Sequence, residues 1–205
     1  YPPQGNFKDV WKVESLDVYR EPFYWDGPAS VHAFCHWDAQ LSARTLLTFL
    51  SSMNEEGELC VSANPYRVFP NPTPQLANLT MALWDCYQIT RDKEMLASCY
   101  PLIVKHVRWI EIERNQTPDG PLMDIGHNID YGPPELYGSP TIWPDVQFFL
   151  VDRYQRLARI AAEIGRPPEE IAEWADKADR LTHGIREHMW DDEKGTFWCV
   201  SNTLE

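Results

Sequence analysis

The sequence predicts an all-α fold of (α/α)6 toroid-type helical hairpins, about half of such a ring, with short β pieces after the turns. Apolar residues recur at three- and four-residue spacings in five or six segments, the pattern of amphipathic helices. Three segments run into an acidic turn with a glycine and a short extended piece: NEEGELC at 54–60, TPDGPLM at 117–123 and DDEKGTFWC at 191–199. Gly57, Gly120 and Gly195 mark this repeat. A lone hairpin cannot bury its apolar face, so a repeat of roughly sixty to seventy-five residues points to hairpins stacked side by side. In a ring, inner helices read as apolar nearly all round and outer helices carry a single stripe.

Residues 1–28 read as an irregular lead-in, punctuated by proline and glycine and closing on Phe23, Tyr24 and Trp25 before Asp26. The partial ring spans 29–205. From Ala29 to Met53 the pattern predicts one helix, apolar on several sides through Val31, Phe34, Leu41, Leu46 and Phe49, and therefore buried between others. A turn at 54–57, a β-like piece from Glu58 to Ser62 and a Pro-rich loop from Asn64 to Pro74 follow. Gln75 to Thr90 is helical again, with Leu76, Leu79, Leu83 and Tyr87 on one face. Asp92 is placed to cap the next helix, which runs to about Asn115 with Pro101 kinking or restarting it. Two further stripes, Val146 to Ile164 ending at Gly165 and Ile171 to Ile185 after Pro167 and Pro168, complete the helices.

Composition narrows the function. The chain has 205 residues, is 43% hydrophobic with nine tryptophans, and carries a net charge of −13. That charge opposes nucleic acid and anionic membrane surfaces as partners, and no membrane span is visible. A neutral ligand held by aromatics fits best, with a carbohydrate as the expected partner. The five scattered cysteines lack a CxxC pair and read as reduced thiols, several in core positions, which favours a cytoplasmic setting. The sequons at Asn78 and Asn115 read as chance matches, Asn78 because it falls within the expected helix.

The stretch from Asp124 to Asp145 concentrates the chemistry. It holds four acids (Asp124, Asp130, Glu135, Asp145), His127, Tyr131 and Trp143 between two helical regions, anchored by Ile125, Ile129, Leu136 and Ile142. Glycoside cleavage needs one protonated and one ionised carboxyl. Asp130, between Ile129 and the rigid Tyr131-Gly-Pro-Pro, is the candidate acid; the alternative is that it caps a turn. Asp145 follows Pro144 and suits an N-cap, though a cap at a pocket rim also binds hydroxyls. Glu135 reads as a solvated charge. Trp25-Asp26 pairs an aromatic face with a carboxylate, as a sugar site requires, or forms a core tryptophan with a helix-start charge. Gln75, at the start of its helix after Pro74, is a candidate second hydroxyl ligand. His32 and His36 share a helix face near Asp38, but no third ligand is evident and a structural or rim role is expected. No metal or other cofactor is predicted, and neither a phosphate loop nor a GxSxG elbow occurs.

Together these residues resemble the family 63 glycoside hydrolases and trehalases. Trp25-Asp26 before an apolar helix is similar to their Trp-Asp element, and Pro72 to Ala77 to their Pro-rich lead into the next inner helix. GHNIDYGPP at 126–134 falls where they carry a Glu-Ser-Gly-Trp-Asp motif, with Ile129 at the tryptophan position and Asp130 at the acid. Residues 143–165 and HMWDDEKGTFW at 188–198 resemble the helix and turn that follow. The resemblance implies the N-terminal half of an (α/α)6 catalytic domain, inversion at an α-glucosidic or α-mannosidic link, and no metal. The residues expected to bind substrate are Trp25, Asp26, Gln75, His127, Tyr131, Trp143 and Asp145. The base that the resemblance implies lies beyond Glu205, so the remaining half of the barrel, from the parent chain or a partner copy, is an expected partner. Another toroid carbohydrate enzyme (a rhamnosidase, debranching glucosidase or lyase) and a non-catalytic carbohydrate-binding or scaffold domain remain open.

Overall fold

A computed structural model of the chain describes residues 1–5, 7–12, 23–24, 26–59, 62–64, 66–69, 78–113, 122 and 141–201. Six helices are described: α1 (Asp26–Phe34), α2 (Ala39–Leu50), α3 (Leu79–Thr90), α4 (Lys93–Glu113), α5 (Pro144–Glu163) and α6 (Pro168–His188). Six short strands pair as antiparallel ribbons: β1 (Ser62–Asn64) with β2 (Arg67–Phe69), β3 (Thr141–Ile142) with β6 (Val200–Ser201), and β4 (Trp190–Asp191) with β5 (Thr196–Phe197).

The helices form two rows. In one, α3 lies between α1 and α5. Its members run parallel. His32 of α1 meets Asp85 of α3 at 2.5 Å, and the Tyr87 hydroxyl near the end of α3 donates to Glu163 at the end of α5, also at 2.5 Å. The second row is α2, α4 and α6. α2 touches α4, and α4 joins α6 where the Trp174 indole N–H donates to the Tyr100 hydroxyl (2.9 Å) and that hydroxyl donates to Glu170 (2.6 Å). α6 buries the single stripe expected of an outer helix, Trp174, Ala178, Leu181, Gly184 and Ile185, with charge elsewhere.

Several boundaries differ from the sequence reading. Instead of one helix from Ala29, α1 opens at Asp26 and ends at Phe34, and α2 starts at Ala39. The break is chemical. Asp38 leaves the helical region (φ −147°, ψ 85°), and its carboxylate accepts the Leu41 N–H at 2.9 Å, a capping bond that competes with helix continuation. Pro28 falls in the first turn of α1, where a missing N–H is tolerated. The far side of α2 is buried by the lead-in rather than by another helix: Thr48 donates to the Val10 carbonyl (3.2 Å), Arg44 pairs with Asp9, and Phe7 and Trp11 are buried.

The strand lies at Ser62–Asn64 rather than Glu58–Ser62, and part of the Pro-rich loop returns as β2. Asn78 sits at the N-cap position of α3 rather than inside the helix. Asp92 caps α4 as expected, accepting the Met95 N–H at 3.0 Å. Pro101 does not restart α4, which runs as one element. Pro101 lies on the exposed side, while buried Leu96, Ile103, Val107 and Ile110 hold the turns before and after it. Among the described cysteines, Cys35, Cys86, Cys99 and Cys199 are free thiols, the first three buried.

Of the repeat turns, those marked by Gly57 and Gly195 follow α2 and α6, and Gly120 lies outside the described residues. Gly57 has φ +111°, and a Cβ there would lie 2.8 Å from the Lys105 carbonyl oxygen and 3.0 Å from the Trp109 Cβ, so the turn is pressed against α4. Its carbonyl accepts from Nδ1–H of His106 at 2.9 Å. That bond fixes the tautomer, leaving Nε2 to accept from the Tyr24 hydroxyl. His106 is only 1% exposed, and its burial, with Arg153 nearby, pushes its pKa down to about 3. Gly195 has φ +63° but faces open space.

These features separate two glycine substitutions. Gly57→Ala is expected to destabilise by about 3 kcal/mol, through strain and backbone overlap together, and Gly195→Ala by about 1 kcal/mol; denaturant midpoints measure both. His106 gives a pH signature. Its folded pKa lies below the unfolded value, so its contribution is complete above about pH 6.5 and is lost as pH falls toward 3. Between about pH 6.5 and 4.5, above the range where Asp9, Glu163 and Glu173 titrate, stability should fall by up to about 1.4 kcal/mol per pH unit. His106→Gln should flatten that slope, and an unchanged slope would contradict the buried neutral imidazole.

Candidate functional site

The parallel row presents the starts of α1, α3 and α5 at one end of the molecule. Between α3 and α5 lies an open cleft of about 290 Å³, lined by Asn78, Met81, Asp145, Phe148, Phe149 and Asp152. The entry to α5 is braced from the side. β3 pairs with β6 (Thr141 opposite Ser201, Ile142 opposite Val200), tying the chain before α5 to the segment after the β4–β5 hairpin. Phe148 stands edge-on to Phe197 of that hairpin, with ring centres 5.0 Å apart.

Asp145 does not cap α5, contrary to the sequence reading. Trp143 holds the N-cap position without a side-chain cap bond, Pro144 takes the first helical position, and Asp145 follows within the first turn. Its half-buried carboxylate makes no hydrogen bond or ion pair among the described residues. It stands in the first turn of α5, at the positive end of the helix dipole. Its charge also reaches Cys199, whose thiol pKa is raised first by burial and then by Asp145.

Asn78, at the start of α3, likewise makes no side-chain cap bond, so its amide is available to the cleft as donor and acceptor. Asp152 is committed, accepting from Arg156 Nε at 2.7 and 2.9 Å. Phe148 is 42% exposed and offers an aromatic surface beside the two uncommitted polar groups. Apolar walls with a few convergent polar groups are what small-molecule sites have in common, and an aromatic face beside an amide and a carboxylate suits a polyhydroxylated ring.

The other expected residues distribute as follows. Asp26 is the first residue of α1 and is exposed, at the same end but outside the cleft lining. Trp143 is half-buried beside the cleft, its carbonyl accepting from the Gln147 backbone at 3.3 Å. Trp25, Gln75, His127, Asp130 and Tyr131 lie outside the described residues, as do Asp124 and Glu135. The histidines divide: His32 pairs with Asp85, its ring edge-on to His36 at 6.4 Å, while Asp38 is used in capping. Among the described residues no group of three or more side chains could hold a metal ion. No described helix is long and apolar enough to cross a membrane.

The sequence reading missed Asn78, Met81, Phe148 and Phe149. The α5 stripe needs only one of two adjacent aromatics, so the second Phe was a usable signal. Asn78 stood directly before the Leu79 stripe, a cap position rather than a helix interior.

Two rows of hairpin-linked helices, with the starts of one row opening on a polar and aromatic cleft, define the class: the fold is that of the (α/α)6-barrel glycoside hydrolases. Within that class, residues 123–203 match the model of the mannosylglycerate hydrolase MGH1-like glycoside hydrolase domain. Among solved structures, an uncharacterized conserved protein from Thermus thermophilus aligns with TM-score 0.70 at 16% identity, covering 97% of this chain and 63% of that one. A family 63 mannosylglycerate hydrolase from the same organism, solved with Tris, aligns with TM-score 0.67 at 16% identity over 96% of this chain and 65% of its own. An α-L-rhamnosidase from Dictyoglumus thermophilum gives 0.63 at 17%, over 85% of this chain and 20% of its own. This chain therefore spans just under two thirds of the first two structures. A comparison with curated protein sequences gave no match.

The two aspartates at helix starts separate by stability. Asp38→Ala should cost about 1 kcal/mol through loss of a cap, whereas Asp145→Ala should cost only a few tenths through the helix dipole, roughly 0.3–0.5 kcal/mol. Equal losses in thermal unfolding would make Asp145 a structural cap after all.

Proposed function

We propose that this chain is the N-terminal part of an (α/α)6 glycoside hydrolase domain that cleaves an α-linked glucoside or mannoside with inversion, Asp130 acting as general acid. The observation that carries the reading is the cleft between α3 and α5, where Asp145 and Asn78 make no side-chain bond among the described residues and stand beside an exposed phenylalanine. Side chains held at a pocket without a folding role are the groups a ligand uses. The family model over residues 123–203 covers both the start of α5 and the segment that carries Asp130.

In this mechanism the protonated Asp130 carboxyl delivers its proton to the glycosidic oxygen as the bond to the anomeric carbon breaks. Water enters from the opposite face and gives up a proton to a second carboxylate. That base belongs to the remaining part of the barrel. Asp145 and Asn78 bind sugar hydroxyls, Phe148 packs on the ring, and Asp26, Trp25, Gln75, His127, Tyr131 and Trp143 complete the pocket. A mannoside of glycerate is the first substrate to try, given the name of the matching family model. The rhamnosidase of the same fold keeps an α-L-rhamnoside as the second reading.

The test uses the full-length protein and a panel of methyl and p-nitrophenyl α-D-glucosides, α-D-mannosides and α-L-rhamnosides, with mannosylglycerate. Asp130→Asn should lower kcat by about 10²–10⁴-fold on the methyl glycosides and far less on the p-nitrophenyl ones, whose leaving group needs no proton. Equal losses on both would sink the acid assignment. Sugar binding without turnover on any member would favour the non-catalytic reading.

A further inference from the structure

The Tyr24–His106–Gly57 link takes no part in that mechanism, yet Tyr24 stands two residues before Asp26 at the entry to α1. We propose that His106 is a positioning residue for the sugar-binding end of α1: through the Tyr24 hydroxyl it fixes the segment that enters α1, and with it Asp26. The inference rests on the glycosidase reading only in giving Asp26 a ligand.

The geometry is specific. Tyr24 is fully buried two residues before Asp26, its ring wedged between Phe49 of α2 (centres 6.2 Å apart) and His106 of α4 (5.4 Å, edge-on). Its immediate neighbour in the chain, Phe23, accepts the Gly27 N–H at 2.8 Å, the first helical bond of α1, so the position of Tyr24 sets where α1 starts. His106 is itself held from two sides. Its Nδ1–H is committed to the Gly57 carbonyl, and its ring stacks on Trp109 at 5.9 Å. Gly57 lies so close to α4 that no side chain fits there. The imidazole therefore has one tautomer and one orientation, and Nε2 is a fixed acceptor aimed at the lead-in. A buried hydroxyl held by a fixed acceptor orders the chain more sharply than apolar packing of the same volume would.

Three substitutions in the full-length protein test this. Tyr24→Phe removes the hydroxyl alone. His106→Asn keeps a donor for Gly57 but has no acceptor at the Nε2 position, and His106→Gln restores an acceptor there. For Tyr24→Phe and His106→Asn, KM for the best glycoside of the panel should rise about tenfold with kcat changed less than about twofold, and His106→Gln should recover most of the KM. Amide hydrogen exchange over residues 26–30 should accelerate in the first two variants and return toward the parent rate in the third. A fall in melting temperature with KM and exchange at the start of α1 unchanged would reduce the link to ordinary core packing and overturn the proposal. If no glycoside is turned over, the glycosidase reading fails by itself, and the exchange measurement still decides whether His106 positions α1.

Discussion

A buried polar contact must be satisfied in place, and the imidazole of His106 applies that constraint to three parts of the chain at once. It binds the turn after α2 through Gly57, the lead-in through Tyr24, and α4 by covalent connection. Apolar packing between helices tolerates sliding by a turn; a donor and an acceptor on opposite edges of one ring do not. The first repeat turn, the start of α1 and the second helix of the outer row are thereby brought into one register. Where the hairpins themselves supply area, this contact supplies direction.

From that register the site follows. Parallel helices in one row place their starts at one end. A helix start has unsatisfied N–H groups and a partial positive charge, so a polar residue there either caps the helix or stays open to a ligand. At α2 and α4 the aspartate before the helix is consumed as a cap. At α3 and α5 the polar side chain is not used in this way, and the cleft lies between those two helices. The difference between a capping and an uncommitted polar residue thus separates scaffold from candidate site within one structure.

Much of this was legible in the sequence. The helical periods of α5 and α6, the stop at Gly165, the Asp92 cap and the turns at Gly57 and Gly195 all follow from local chemistry, because each depends on residues within a turn or two. The repeat of those turns implied stacked hairpins, and the scattered cysteines implied free thiols. Harder to see were the break at Asp38, since an apolar run on both sides outweighs one capping residue in a periodicity argument, and the return of the Pro-rich loop as β2, which depends on strand pairing. Asp145 was misread because Pro-Asp suits a cap and a first-turn position equally well, and one residue of register decides between them.

By itself the sequence determined the elements, the class of fold and the kind of ligand its charge allows, since propensity, period and net charge are properties of the chain in order. Only the tertiary structure decided which polar residues remain uncommitted. It set Asn78 and Asp145 across one cleft, gave Asp85 to His32, and committed both nitrogens of His106 to residues far away in the chain. Commitment depends on what stands within about 3 Å in space, and that is fixed only when the hairpins pack.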